Sequence, residues 1–154
     1  MNMQSASIPR PALILGLGGL LPFFVTAIAA LVLDNADPSS TTTSESAVQA
    51  LGAYGAVILS FLGGVRWGKL LDEPDQLRQW LPLTLSVAPS LIAWPALLLP
   101  DTPMLMLLIA GLVIQYALDR AAVRQNHLPV WFGRLRLMLT CGAVASLALA
   151  FVSV

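Results

Sequence analysis

Charged residues are scarce in this chain of 154 residues. They make up 10% of the sequence, whereas hydrophobic residues make up 57% and the mean hydropathy is +0.80. A typical soluble domain is about one-quarter charged, so this chain has too little polar surface to cover a water-soluble globule. The scarcity of charge therefore makes an integral membrane protein the leading class.

Cysteine and histidine are almost absent, with one residue of each, Cys141 and His127. Cys141 cannot form an internal disulfide, and we expect it to be buried as a small apolar side chain. A single histidine is too few for a multi-histidine metal site, and no nucleophile, phosphate-loop or metalloprotease motif occurs. The sequence therefore predicts no catalytic residue, metal or cofactor, and a protein that is not an enzyme.

The chain contains long segments without any charged residue. Five of them are long enough to cross a hydrocarbon core of about 30 Å as helices, and backbone groups in lipid must be satisfied within helices. We predict an all-α integral membrane bundle that forms one transmembrane domain over residues 1–154. Its five helices are expected at about residues 11–33, 46–68, 79–100, 102–120 and 135–153.

The chain has no net charge, with 8 basic and 8 acidic residues, so no basic balance indicates a nucleic-acid partner. The basic residues all fall on one side of the predicted bundle: Arg10, Arg66, Lys69, Arg78, Arg120, Arg124, Arg134 and Arg136. The loops on the opposite side hold only acidic charges: Asp34, Asp37, Glu45 and Asp101. The positive-inside rule then predicts a cytoplasmic N-terminus and an exported C-terminus.

The first predicted helix has features of a secretory signal, because Arg10 precedes an apolar run that contains the small residues TAIAA. The run continues to Leu33, which is longer than a typical signal core, so we expect a retained transmembrane helix. The Ser/Thr-rich stretch that follows, Asp34–Ala47, is predicted to be an exported linker.

Small residues are concentrated in the second predicted helix, which carries Gly52, Gly55, Gly63, Gly64 and Gly68. Small side chains let helices approach closely in lipid, and the spacing of the last two glycines matches the small-xxx-small pattern. Because such matches are common in membrane helices, we interpret this helix as the packing centre of the bundle rather than a dimer seam.

Pro22 and Pro89 lie near the middle of the first and third predicted helices. Each removes an intrahelical hydrogen bond, which predicts a kink. Broken helices at mid-depth coordinate ions in transporters, but the polar residues at this depth are few and uncharged. Kinks that serve packing are the favoured interpretation, and a small-solute transporter or channel that uses them is the alternative function.

Arg66 and Asp119 end their predicted helices on the same side and at about the same depth. An ion pair between them, or between Asp119 and a basic residue of the last loop, would join helices and could fix their register. The other interpretation is two separate charges that snorkel to the interface.

A basic cluster lies in and around the last loop, beside Trp131 and Phe132, and consists of Arg120, Arg124, Arg134 and Arg136. It is expected to attract anionic lipid headgroups, and a membrane-protein partner is the second option.

Four stretches of the chain form a recognisable pattern: AYGAVILSFLGGVRWG, APSLIAWPALLLP, QYALDRAA and LPVWFGRLRLMLT. They resemble the domain of unknown function 3429 family of transmembrane protein 69-like inner-membrane proteins, and the resemblance spans roughly residues 11–152. It implies a small multi-helix protein of a cell inner membrane and supplies no catalytic residues. The candidate structural or interaction residues within these stretches are Arg66, Trp67, Asp119, Arg120, Trp131 and Arg134.

These observations predict a non-enzymatic, multi-pass inner-membrane protein in contact with the lipid bilayer. The expected role is an accessory or assembly subunit of a larger membrane complex. A bioenergetic complex is suggested by analogy with mitochondrial members of the family, and analogy at the level of the fold does not establish a function.

Overall fold

The computed structural model describes residues 7–36 and 41–154, apart from the side chains of residues 34–36 and 41–43, Pro74 and Gln76. All regular structure in these ranges is helical, which confirms the predicted all-α class. The helices are α1 (Arg10–Gly18), α2 (Leu21–Ala36), α3 (Thr41–Leu70), α4 (Pro74–Leu77), α5 (Trp80–Ala96), α6 (Asp101–Arg124) and α7 (Val130–Leu149), which a 3₁₀ turn at Ala150–Ser153 extends.

Four helical stretches are long and apolar enough to cross a bilayer: Arg10–Leu33, Ser44–Leu70, Asp101–Arg124 and Val130–Ser153. The remaining long helix, α5, has 17 residues, a length of about 26 Å. Large apolar side chains cover the outside of the bundle, including Trp80, Trp94 and Leu98. Such a surface is suited to lipid rather than water, so the chain is a membrane protein.

Two helices extend into the polar stretch that was predicted to be a linker. Helix α2 continues to Ala36 and α3 begins at Thr41, so most of Asp34–Ala47 is helical. Serine and threonine readily satisfy the first amide groups of a helix, which allows α3 to start outside the apolar segment. Asp37, one of the acidic residues assigned to the exported loop, lies outside the described residues.

The helices that carry prolines differ from one another. The first span is interrupted at Gly19 and Leu20, just before Pro22, and the hydroxyl of Tyr54 donates a hydrogen bond to the Gly19 carbonyl at 2.9 Å. Helix α5 continues through Pro89 and ends at Ala96 rather than near residue 100. Its last turn is closed by i to i+3 hydrogen bonds, a tightening that is common at helix ends.

Helix α3 lies at the centre of the bundle and packs against α2, α5 and α6. A Cβ atom on Gly63 would collide with the carbonyl oxygen of Ser86 in α5, so only glycine fits this approach. This confirms the predicted packing centre. Gly64 and Gly68 face outward instead, and a Cβ built on either has no atom within 4 Å apart from the adjoining part of α3 itself.

The core around α3 is apolar. Its largest fully buried apolar side chains are Phe23, Leu51, Leu59, Met104, Leu105, Leu108, Leu112 and Leu147. The prediction that Cys141 is buried was wrong, because this residue lies on the exposed side of α7. In a membrane protein an apolar run does not separate core positions from lipid-facing ones, since both are apolar.

Helices α3 and α6 run in the same direction and are joined by polar contacts near both ends. The amide of Gln49 donates to the Asp101 carboxylate at 3.0 Å, and the guanidinium of Arg66 lies 3.6 Å from the Asp119 carboxylate. Residues 49 and 66 are 17 positions apart, which is about 26 Å of helix. This spacing approaches the bilayer core thickness of about 30 Å, so the two contacts fix the register of α3 against α6.

Candidate functional site: a buried charged triad

The Asp119 carboxylate lies between two arginines from different helices. Its Oδ2 accepts a hydrogen bond from Nε of Arg136 in α7 at 2.9 Å. Its Oδ1 lies 3.6 Å from Nη2 of Arg66 in α3. Because Asp119 belongs to α6, these three residues join three helices, and they are called the charged triad below.

The sequence of α6 explains why Asp119 points inward. Its buried residues recur at the three- and four-residue spacing of one helix face, which continues from Leu108 through Leu112 and Gln115 to Asp119. Gln115 lies one turn before Asp119 and its amide nitrogen is 3.4 Å from Oδ1. Apolar packing along this face therefore directs the carboxylate into the bundle, where the arginines meet it.

The two arginines differ in distance and in burial. The Arg136 side chain is 7% exposed and the Arg66 side chain 21% exposed, compared with 10% for Asp119. The contact of Arg136 has the length of a charge-assisted hydrogen bond, whereas the Arg66 distance is too long for one. Arg136 is therefore the main partner of Asp119, and Arg66 adds a weaker ion pair nearer to solvent.

One carboxylate cannot neutralise two guanidinium groups, so the charged triad carries one surplus positive charge. Arginine does not lose its proton in proteins. Two buried nitrogens, Nε of Arg66 and Nη2 of Arg136, have no hydrogen-bond partner within the described part of the chain. The site therefore has spare hydrogen-bond donors and a net charge that favour an anionic or acceptor group.

A cleft of about 370 Å³ opens beside the triad and is lined by Arg66, Lys69, Asp119, His127 and Phe132, among other residues. His127 follows α6 and is exposed, as a loop histidine is expected to be. Across residues 7–36 and 41–154, no group of three His, Cys, Asp or Glu side chains is placed to hold a metal ion.

The structure brings together two of the six predicted site residues, Arg66 and Asp119. Their distance fits the ion-pair interpretation and not that of two separate snorkelling charges. Trp67, Arg120 and Arg134 are exposed on the outside of the bundle.

Trp131, the sixth predicted residue, is half-buried. Its ring makes an edge-to-face contact with Phe132, with a centroid distance of 6.0 Å. This geometry is common in aromatic pairs, so Trp131 packs locally and does not join the triad.

Arg136 was wrongly assigned to the lipid-facing basic cluster. It is 5% exposed, because α7 begins at Val130 rather than near residue 135, so Arg136 lies more than one turn inside the helix instead of at its end. Arg136 shares a buried face of α7 with Thr140, Ala143 and Leu147. This helical spacing was the signal in the sequence that could have identified it.

Comparison with known proteins places most of the chain within one family. Residues 8–152 match the family model described as "Protein of unknown function (DUF3429)". The chain is 44% identical over 142 residues to transmembrane protein 69 of Xenopus tropicalis, an alignment that covers 90% of the chain and 53% of the relative. It is 33% identical over 147 residues to transmembrane protein 69 of Mus musculus, with 94% and 56% covered.

The chain thus spans about half the length of these relatives. No solved structure matches it. The similarity covers all the helices described above, including those that supply the triad.

Proposed function

The chain belongs to the DUF3429 family of proteins of unknown function, and on that premise we propose that it is a non-enzymatic accessory or assembly subunit of a larger complex in a cell inner membrane. The relatives named as transmembrane proteins and the long apolar helices support the membrane part of this proposal. One feature of α3 supports the role as a subunit.

That feature is an exposed stripe along α3, called the α3 outer face. It consists of Ala53, Val57, Phe61, Gly64 and Gly68, which recur at three- and four-residue spacing and are all exposed. Gly64 and Gly68 have open space where a side chain would be. The small-xxx-small pattern is therefore not used by the described bundle and remains available to another helix.

Close approach at small residues is a main source of helix association in lipid, where the hydrophobic effect does not drive helices together. A transmembrane helix of a partner protein is the proposed occupant of the α3 outer face. In this proposal the charged triad keeps α3 in register with α6 and α7, so that the face is presented by a rigid helix.

The basic end of the bundle is proposed to contact lipid headgroups. Arg120, Arg124 and Arg134 are exposed, and a cluster of arginines beside a bilayer attracts anionic lipid headgroups. The positive-inside rule places this end on the cytoplasmic side. A bioenergetic complex is the nearest candidate assembly, by analogy alone.

The transporter alternative gains no support from the kinked helices. Pro89 is buried and packs beside Gly63, and the core that surrounds α3 is formed by leucine, alanine, valine, methionine and phenylalanine side chains. The cleft beside the charged triad is lined by neither Pro22 nor Pro89.

Native purification in mild detergent, followed by mass spectrometry of co-purifying proteins, tests the proposed role. We expect a specific membrane partner with the unmodified chain and its loss in the double variant Gly64→Leu, Gly68→Leu. A Cβ atom at these positions meets no other helix of the chain, so leucine extends into the space that a partner helix needs. The matched control is Gly18→Leu, which adds the same side chain at another exposed glycine with open space.

The proposal fails if the unmodified protein always purifies alone. It also fails if the partner is retained equally by the double variant and by the Gly18→Leu control. Unchanged melting temperatures for both variants would show that any loss of partner arises at the α3 outer face and not from unfolding.

A further inference from the structure

A second cavity, of about 150 Å³, lies on the side of the bundle between the α1–α2 break, α3, α6 and α7. It is called the lateral cavity below. Its walls are mainly apolar and include Leu20, Phe23, Leu112 and Leu139. An apolar cavity with only a few polar groups is the common form of a small-molecule site.

The polar lining of the lateral cavity comes from Arg136 and Thr140, one helical turn apart on α7. They are 5% and 6% exposed. Nη2 of Arg136 and Oγ1 of Thr140 are buried with no hydrogen-bond partner among the described residues. Buried polar atoms are nearly always hydrogen-bonded, so two such atoms, on residues that line one cavity, point to a ligand that accepts hydrogen bonds from both.

The charge of the triad defines the chemistry of that ligand. Arg136 uses Nε to bind Asp119, and Asp119 is shared with Arg66. The three groups together carry one surplus positive charge, which arginine cannot shed by losing a proton. An anion beside Nη2 of Arg136 would neutralise this charge, whereas a neutral acceptor would leave it uncompensated in a medium of low dielectric constant.

The lining also indicates where the ligand comes from. Leu15 in α1 and Phe61 in α3 border the cavity and are 76% and 65% exposed, so the cavity opens sideways to the bilayer. A cavity of this size holds a molecule about as large as benzene. It therefore accommodates a polar head and the first carbons of a chain, while the rest of the chain lies in lipid.

We propose that the lateral cavity binds the anionic head of an amphiphile from the bilayer. An oxygen of the head accepts hydrogen bonds from Nη2 of Arg136 and Oγ1 of Thr140. The apolar chain passes between Leu15 and Phe61 into the membrane. The head is a carboxylate or a phosphate, and the two sources of this chemistry are a long-chain fatty acid and an anionic phospholipid.

The test uses the full chain in neutral detergent, with binding followed by native mass spectrometry and by the shift in melting temperature. The probes are palmitate and phosphatidic acid, with cetyl alcohol and diacylglycerol as their uncharged counterparts. We expect an anionic probe to bind and stabilise the protein, and its uncharged counterpart to bind at least about tenfold more weakly, because it lacks the charge-assisted hydrogen bonds to Arg136 and Thr140.

Thr140→Val locates the site because it removes the hydroxyl and keeps the volume and the Arg136–Asp119 pair. We expect it to weaken binding of the anionic probe about tenfold, the factor for one such hydrogen bond. The control is Thr84→Val on the exposed side of α5, which is expected to bind like the unmodified chain.

Each outcome decides the proposal. Binding of palmitate alone identifies a fatty acid as the source, and binding of phosphatidic acid alone identifies a phospholipid, provided that Thr140→Val weakens either one. Equal binding of charged and uncharged probes overturns the anionic head. Equal binding by Thr140→Val and Thr84→Val overturns the location, and no binding of any probe overturns the site itself.

Discussion

At the scale of single residues, Asp119 is the carboxylate that pairs with both arginines of the charged triad. Its contact with Arg136 is short and buried, and its contact with Arg66 is longer and more exposed. Removing the partner that makes a short, buried, charge-assisted hydrogen bond costs more than removing one that makes a longer, more exposed contact. The same substitution at Arg136 and at Arg66 is therefore expected to lower the free energy of unfolding by different amounts.

We predict that Arg136→Gln lowers the free energy of unfolding by about 3–5 kcal/mol, the range for breaking a buried ion pair. Arg66→Gln is the matched comparison and is expected to cost about 1 kcal/mol or less. Equilibrium unfolding of the purified variants in detergent measures both values.

Asp119→Asn in the Arg136→Gln background completes a double-mutant cycle. The double variant is expected to be less unstable than the sum of the single variants, because neither an unpaired carboxylate nor its buried guanidinium partner then remains. Equal losses for Arg66→Gln and Arg136→Gln, or strictly additive effects, would contradict the assignment of Arg136 as the main partner.

The meeting of Arg66 with Asp119 could be predicted from the sequence because both residues end uncharged segments at matching depths. Arg136 could not be assigned by cutting the chain at its charges, since that procedure places every arginine at or beyond the end of a helix. Once α7 is known to begin at Val130, residues 134 and 136 lie about 200° apart around the helix. One arginine therefore faces out and the other faces the core.

At the scale of helices, the crossing of α3 and α5 depends on one glycine. Gly63 faces the Ser86 carbonyl of α5 with no room for a Cβ, while its neighbour Gly64 faces open space. A backbone carbonyl cannot rotate away as a side chain can, so the helices would have to separate to admit a methyl group.

We predict that Gly63→Ala destabilises the protein by about 1–3 kcal/mol, the cost of overpacking a close contact. Gly64→Ala is the matched control and is expected to be neutral or to stabilise by up to about 1 kcal/mol, because alanine has the higher helix propensity. Melting temperatures of the two purified variants provide the comparison. A similar change in both would show that helix propensity, rather than the α3–α5 contact, governs this position.

The number of long helices could be predicted from the sequence, but their ends could not. The length of an uncharged segment predicts only the part of a helix that lies in lipid. Helix α3 begins at Thr41, within a polar stretch that hydropathy does not identify as helical. The end of α5 at Ala96 depends on how Pro95 and the following turn arrange their hydrogen bonds. Such local backbone geometry is not encoded in average hydropathy.

At the scale of the whole molecule, the side of the membrane on which each end lies is still a prediction. The distribution of basic residues places the N-terminus in the cytoplasm and the C-terminus outside. This outcome requires α5 to cross the bilayer, and because it is only 17 residues long it has to stand nearly upright, with local thinning of the bilayer.

Single-cysteine labelling tests this topology, and the chain suits the method because Cys141 is its only cysteine. In a Cys141→Ser background, a membrane-impermeant maleimide is expected to label Val154→Cys in intact cells. His127→Cys is expected to react only after the membrane is permeabilised. Labelling of both positions from the same side would mean that α7 does not cross, and exchange of the two patterns would contradict the predicted orientation.

The charged triad also has a consequence for the synthesis of the protein. Its members occupy α3, α6 and α7, which leave the ribosome in that order. Arg66 enters first, Asp119 follows with its weaker partner already in the membrane, and the strong partner, Arg136, arrives last. The final helix therefore carries the charge that completes the pairing of Asp119, and only a chain elongated through α7 can close the interior of the bundle.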